Sequence, residues 1–249
     1  MRDDLWGVWG VVVIGATLIW VIVLFISRVL KRRRDEAFRQ WAEMKGGSFI
    51  DGEGLRFTLS NSGMFSGGDE EAPAWFPHEK PYFNAGFPLF KKGHSPSLSR
   101  MVSREGASSF FLYDFSYVIG VGRHRRTVSQ TVFHFRRMGL SIPRIPRFSM
   151  EPKNIFHAIE KIFGMQDIDF PEQPGFSEKY LVQAQSEHDF RQFLPPACMS
   201  LLSGLALCVQ GAGDQVIIYR HAWTTPSGSL ELEFTEASRV AVALGFPTV

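Results

Sequence analysis

The chain has 249 residues, with 27 Lys and Arg against 25 Asp and Glu and a formal net charge of +2, a balance that excludes a general nucleic-acid binder. Its two cysteines, Cys198 and Cys208, are too few for a disulfide scaffold or a thiolate metal site and suit a reducing compartment. Twenty-three Phe against five Tyr call for a large apolar interior.

The first element predicted is a membrane span. Leu5 to Ile26 carries no charge, and Thr17 is its only hydroxyl. As a helix rising 1.5 Å per residue this run is about 33 Å long, enough to cross a hydrocarbon core of roughly 30 Å. It ends at Ile26-Ser27-Arg28, without the small-residue cleavage pattern of a secretory signal, so a retained anchor is expected. Leu5, Trp6, Trp9, Trp20 and Ile26 are its predicted membrane residues, with the amphipathic rings of Trp6 and Trp9 at the outer headgroups. Arg2, Asp3 and Asp4 precede the span, whereas Arg28, Lys31, Arg32, Arg33 and Arg34 follow it. Short Lys/Arg-rich flanks stay on the cytoplasmic side. The expectation is a single-pass membrane protein, amino terminus out and C-terminal domain in the cytoplasm.

Three regions are predicted: residues 1–34 as anchor and basic flank, 35–87 as juxtamembrane helix and loop-rich connector, and 88–249 as a cytoplasmic α+β domain. Arg32 to Met44 extends the anchor helix, with Ala37, Phe38 and Trp41 on one side and Lys45-Gly46-Gly47 as its stop. Ser48 to Pro81 has poor periodicity and many Gly, Asn and Pro breaks, with one short strand expected near Leu55 to Leu59. Ser108 to Ile119 then alternates Phe111, Tyr113, Phe115, Tyr117 and Ile119 against Asp114 and Ser116, a period of two. Thr127 to Phe135 repeats it across a Gly-containing loop whose tip holds Arg123, Arg125 and Arg126, which reads as a hairpin. Leu140 to Met150 is extended, and Pro143 and Pro146 place it on a sheet edge.

A helix is predicted after Pro152, with Ile155, Phe156, Ile159, Ile162 and Phe163 in one stripe and Gly164 at its stop. Met165 to Phe170 alternates, and Pro171, Pro174 and Gly175 turn the chain. Tyr180 to Ala184 reads as a strand, Ser186 and Asp189 as a helix start, and Pro196 as the opening of a helix that Gly204 stops. Leu205 to Gln210 and Gln215 to Arg220 form a second hairpin, and a last helix sets Leu230, Phe234, Ala237, Val240, Ala241 and Leu244 on one face. The fold class expected is α+β, an antiparallel sheet packed by amphipathic helices behind the N-terminal span.

Gln130-Thr131-Val132, the run Phe163 to Phe170, Phe176 to Leu181 and Ile218-Tyr219-Arg220 together resemble an uncharacterised family of bacterial single-pass membrane-anchored proteins of unknown function. The resemblance covers roughly residues 88 to 245. It implies a small anchored α+β domain and brings no catalytic residues with it.

Charge is distributed unevenly. Residues 1–34 hold six basic and two acidic groups, which leaves the other 215 residues at −2, yet residues 91–147 hold eleven Lys and Arg against Glu105 and Asp114. Together with Arg28, Lys31, Arg32, Arg33 and Arg34, the tip Arg123, Arg125 and Arg126 is the predicted contact for anionic lipid headgroups, each cation contributing on the order of 1 kcal/mol near such a surface. The chemical motifs are thin. Asp167-x-Asp169 has the spacing of paired carboxylates on a divalent ion, but a solvated strand face produces it equally. The seven histidines lack ligand spacing, and no nucleophile elbow, P-loop or dinucleotide fingerprint is present. The reading is therefore a membrane-anchored binding or scaffolding domain without cofactor or nucleic acid, whose partners are the bilayer, anionic headgroups or another membrane protein. A divalent-metal enzyme using Asp167 and Asp169 is the alternative.

Overall fold

In the computed structural model, which describes residues 3–51, 87–106, 108–137, 144–153 and 164–247, the apolar run and its basic flank form one unbroken helix, α1 (Asp3–Met44). Of the described residues it is the one helix long and apolar enough to cross a membrane. Its large apolar side chains from Val13 to Leu30 are mostly exposed, whereas Phe38, Trp41 and Ala42 are buried. The helix thus changes surroundings partway along, from exposed apolar side chains to a protein core. The edge of the Trp41 ring meets Phe110 and Phe234, with centroids at 5.6 and 4.9 Å. Gly46, at φ +65°, supplies the left-handed residue that ends α1, and the Gly47 amide caps Ala42 at 2.8 Å.

Behind α1 stands a nine-stranded sheet: β1 (Ser48–Ile50), β2 (His94–Arg104), β3 (Ser108–Ile119), β4 (Arg126–Arg137), β5 (Ile145–Pro152), β6 (Gln166–Asp167), β7 (Tyr180–Ala184), β8 (Cys208–Gly213) and β9 (Gln215–Tyr219). Their order is β1-β2-β3-β4-β9-β8-β5-β7-β6, with every neighbouring pair antiparallel. The β3–β4 hairpin is the longest pairing, in register from Ser108↔Arg137 to Ile119↔Arg126. Among the described residues four helices complete the domain: α2 (Pro174–Ser177), α3 (Glu187–Phe193), α4 (Pro196–Leu205) and α5 (Leu230–Ala243). The α+β class expected from the sequence is the one observed.

Both sheet faces are apolar. Phe110, Leu112, Phe133, Phe135, Val216 and Ile218 join the helices and the C-terminal end of α1 in one core. The alternate residues Phe111, Tyr113, Phe115, Val132, Ile217 and Tyr219 form a second cluster with Phe87 and Leu89, the latter within a 3₁₀ turn, Pro88–Lys91. Two-sided burial explains why the middle of β3, Phe110-Phe111-Leu112-Tyr113, is continuously apolar.

Several elements depart from the sequence reading. β1 and β2 were not anticipated: β2 is rich in Ser, contains Pro96, turns through Ser95 at φ +50° and shifts register twice against β3. β5 is not an edge strand but lies between β8 and β7. Pro146 is tolerated there because it falls in the register shift between Ile145 and Phe148, where no ladder hydrogen bond is needed. Helix α4 runs through Gly204 and stops at Ala206, itself left-handed at φ +49°. Of the alternating Met165 to Phe170, two residues pair as β6, while Ile168 and Phe170 are buried beyond it. The predicted helix after Pro152 and the strand near Leu55 to Leu59 lie outside the described residues. The start of α3 is as expected, with the Ser186 hydroxyl accepting from the Asp189 amide, and the whole predicted face of α5 is buried.

Candidate functional site

One buried polar cluster joins α1 to the sheet. Arg34 extends the basic flank of the span, but its side chain turns onto the sheet, where Nε and Nη2 donate to the two carboxylate oxygens of Asp114, each at 2.8 Å. Such a bidentate fork is the strongest ordinary ion-pair geometry. The same guanidinium donates to the Thr225 carbonyl at 2.6 Å and the Thr131 hydroxyl at 3.1 Å, and stacks over Phe38. From β2, Arg100 donates to Asp114 at 3.1 Å and to Asp35, the next residue of α1. Thr131 closes the cluster by donating to Asp114 and accepting the Thr225 amide. Asp114 is 7% exposed, Arg100 11% and Arg34 16%, so water contributes little and each charge depends on its partners.

This clamp gives the domain a direction. Going toward the membrane along α1, Trp41 meets Phe110 and then Arg34 meets Asp114. Strand β3 therefore runs antiparallel to α1, and its continuation past Asp114 leads to the hairpin tip on the side where the apolar span departs. Asp114 to Ile119 covers about 17 Å at the usual strand rise, and Arg34 to Ile26 about 12 Å along the helix. At the same end, His94 pairs opposite Val118 and contacts the Gly120 carbonyl at 3.0 Å. Gly120 is at φ +77°, and a side chain there would strike the His124 carbonyl. The loop after β9 meets β4 at the level of the clamp, its Trp223 carbonyl accepting from the Thr131 amide.

The predicted lipid-contact residues fall into two groups. Arg28, Lys31, Arg32 and Arg33 are exposed on α1, and Arg123, Arg125 and Arg126 are exposed at the hairpin tip. Arg34 is not available to headgroups, because its donors are taken by Asp114, Thr131 and Thr225. Trp20 and Ile26 are exposed on the span, while for Leu5, Trp6 and Trp9 only the helical backbone is described. Much of the basic middle pairs internally: Lys92 with Glu151, Arg100 with Asp35 and Asp114, Arg136 with Asp214. Arg137 donates to the Leu244 carbonyl under the Phe246 ring.

Asp167 and Asp169 are exposed; Asp167 accepts from Gln183 at 2.8 Å, and the Asp169 carbonyl accepts from Arg191. Among the described residues no group of three His, Cys, Asp or Glu side chains is placed to hold a metal ion. On the second face, buried Glu151 accepts from Lys92 at 2.9 and 3.1 Å and from Gln210 at 3.2 Å, while Gln210 accepts the Leu89 amide. This pairing pins the 3₁₀ turn to the sheet. Burial pushes the Cys198 thiol up to about 12 and raises Cys208 as well, so neither is a thiolate nucleophile near neutrality.

Sequence reasoning missed the clamp, although a signal was present. Asp114 is an acid inside a strand of aromatics, where Asp is disfavoured, and with Glu105 it is one of two acids in a strongly basic stretch.

No family model matches the chain, and no curated protein matches it by sequence. Among solved structures it is similar to the crystal structure of the mycobacterial trehalose monomycolate transport factor A, TtfA, with a TM-score of 0.51, 10% sequence identity, and coverage of 89% of this chain and 98% of that one. At that identity the likeness is one of fold.

Proposed function

We propose that this chain is a single-pass, non-catalytic factor of a bacterial inner membrane, whose α+β domain lies in the cytoplasm and serves lipid transport by binding or scaffolding. The observation that carries the reading is the clamp. A flexible tether would suffice to keep an enzyme near a membrane, whereas here the spanning helix enters the domain core and is fixed by two arginines and two aspartates. A rigid mount of this kind suits a protein whose orientation to the bilayer is its function. The fold shared with TtfA supports the lipid-transport assignment by analogy. The cytoplasmic placement is supported by the basic flank after Ile26 and by two unpaired, buried cysteines.

The test is made in the host. Newly made lipid is followed by pulse labelling and fractionation of the envelope after depletion of the protein. One lipid class is expected to accumulate at the inner membrane and fall in the layers beyond it, with rescue by the parent chain. An unchanged distribution of every lipid class would overturn the transport role.

A further inference from the structure

The end of the sheet facing the span carries the β3–β4 tip. Outside α1, the large apolar side chains exposed among the described residues are Val121, Trp223, Leu232 and Val242, and Val121 is the most exposed of them at 84%. One of these four stands at this end, Val121 at the hairpin tip beside Arg123, Arg125 and Arg126. An exposed aliphatic at a loop tip with a collar of cations is a composition that suits the headgroup boundary of a bilayer. The clamp supplies the placement. Because α1 and β3 run antiparallel from Arg34–Asp114, the tip extends at least as far toward the span as the start of its apolar segment.

We propose that this end of the sheet is a second bilayer contact, in which Val121 enters the headgroup boundary of the anionic leaflet that α1 leaves, with Arg123, Arg125 and Arg126 on its lipid phosphates. The contact rests on the reading of α1 as a bilayer anchor. Two points of attachment joined by a buried clamp fix the tilt of the domain, which a single helix cannot do. The short φ-positive turns at Gly120 and Gly122 keep the tip narrow, and its cations have no acidic partner among the described residues in the tip itself.

Buried Cys198 and Cys208 make the test direct, since Val121→Cys places an accessible thiol at the tip of the full-length protein. The variant is labelled with an environment-sensitive nitrobenzoxadiazole dye and reconstituted into vesicles of phosphatidylglycerol with phosphatidylcholine, or of phosphatidylcholine alone. Flotation with the vesicles reads the anchor; dye emission reads the tip. The expected result is a blue-shifted, brighter emission in anionic vesicles alone, weakened by salt because exposed charges are screened beyond about 8 Å at physiological ionic strength. Adding Arg123→Ala, Arg125→Ala and Arg126→Ala should lower the docked-to-free ratio of the tip on the order of a hundredfold. Unshifted emission in protein that floats with the vesicles would overturn the contact and leave the anchor intact. Equal shifts in both vesicle types would overturn the assignment of the arginines to headgroup charge. Failure to float would refute the anchor itself.

Discussion

At the residue scale, His134 shows what burial does to a titratable group on the sheet. It is wholly buried on β4, edge-on to Phe87 and Tyr113, with Nε2 2.9 Å from Gln215 Oε1. Desolvation lowers its pKa from 6.5 to about 4, the Gln215 hydrogen bond opposing. Between those values the unfolded chain takes up a proton that the folded chain refuses. The stability contributed by the neutral ring is therefore complete above pH 6.5 and is lost as pH falls toward 4. At 1.36 kcal/mol per unit the loss is about 2 kcal/mol between pH 6.5 and 5. Chemical denaturation of the full-length protein in detergent at pH 7 and pH 5 should show this loss in the parent and a much smaller one in His134→Gln. Equal pH slopes in the two proteins would exclude His134 as the cause.

At the element scale, the union of α1 with the sheet depends on Asp114. The carboxylate holds both Arg34 and Arg100, and removing it leaves two guanidinium groups with most of their surface buried and one major partner gone. Breaking a buried pair in this way costs about 3–5 kcal/mol, more than the pair contributes relative to an apolar replacement. Asp114→Ala should accordingly lower the thermal midpoint of the full-length protein, followed by the fluorescence of Trp41 between Phe110 and Phe234. Asp114→Asn keeps hydrogen-bonding capacity for Thr131 and Arg34 and should fall in between. A midpoint for Asp114→Ala within error of the parent would mean that the clamp does not hold the helix to the sheet. The apolar contacts of Phe38, Trp41 and Ala42 remain in either variant, so α1 should loosen at its membrane end before its C-terminal turn.

At the scale of the whole molecule, the proposed cytoplasmic placement rests on Arg28, Lys31, Arg32 and Arg33 after the span, because short Lys/Arg-rich flanks are retained on the cytoplasmic side. Alkaline phosphatase fused after Val249 is active only outside the cytoplasm and should be inactive in whole cells, while a cytoplasmic reporter at the same position should be active. Robust phosphatase activity would reverse the orientation and remove the reducing-compartment argument for Cys198 and Cys208.

Local chemistry by itself determined a good part of this protein. The uncharged run from Leu5 to Ile26, the period-two strands Ser108 to Ile119 and Tyr180 to Ala184, the Ser186 start of α3 and the apolar stripe of α5 are all written in neighbouring residues, since each depends on composition or on a spacing of two to four. Only the tertiary structure decided the rest. Pro146 reads as an edge signal until the register shift that absorbs it is seen, and β2 reads as polar chain because its strand character comes from pairing with β3 and β1. Arg34 looks like one more headgroup cation in a run of five, yet it belongs to Asp114, 80 residues away in the chain. The same holds for the proposed membrane end, where the Val121 tip is turned toward the span by the pairing of Arg34 with Asp114. Spacing along a chain reports which face a side chain shares with its near neighbours; which distant charge or surface it meets is set by how the strands are ordered, and that order is a property of the folded whole.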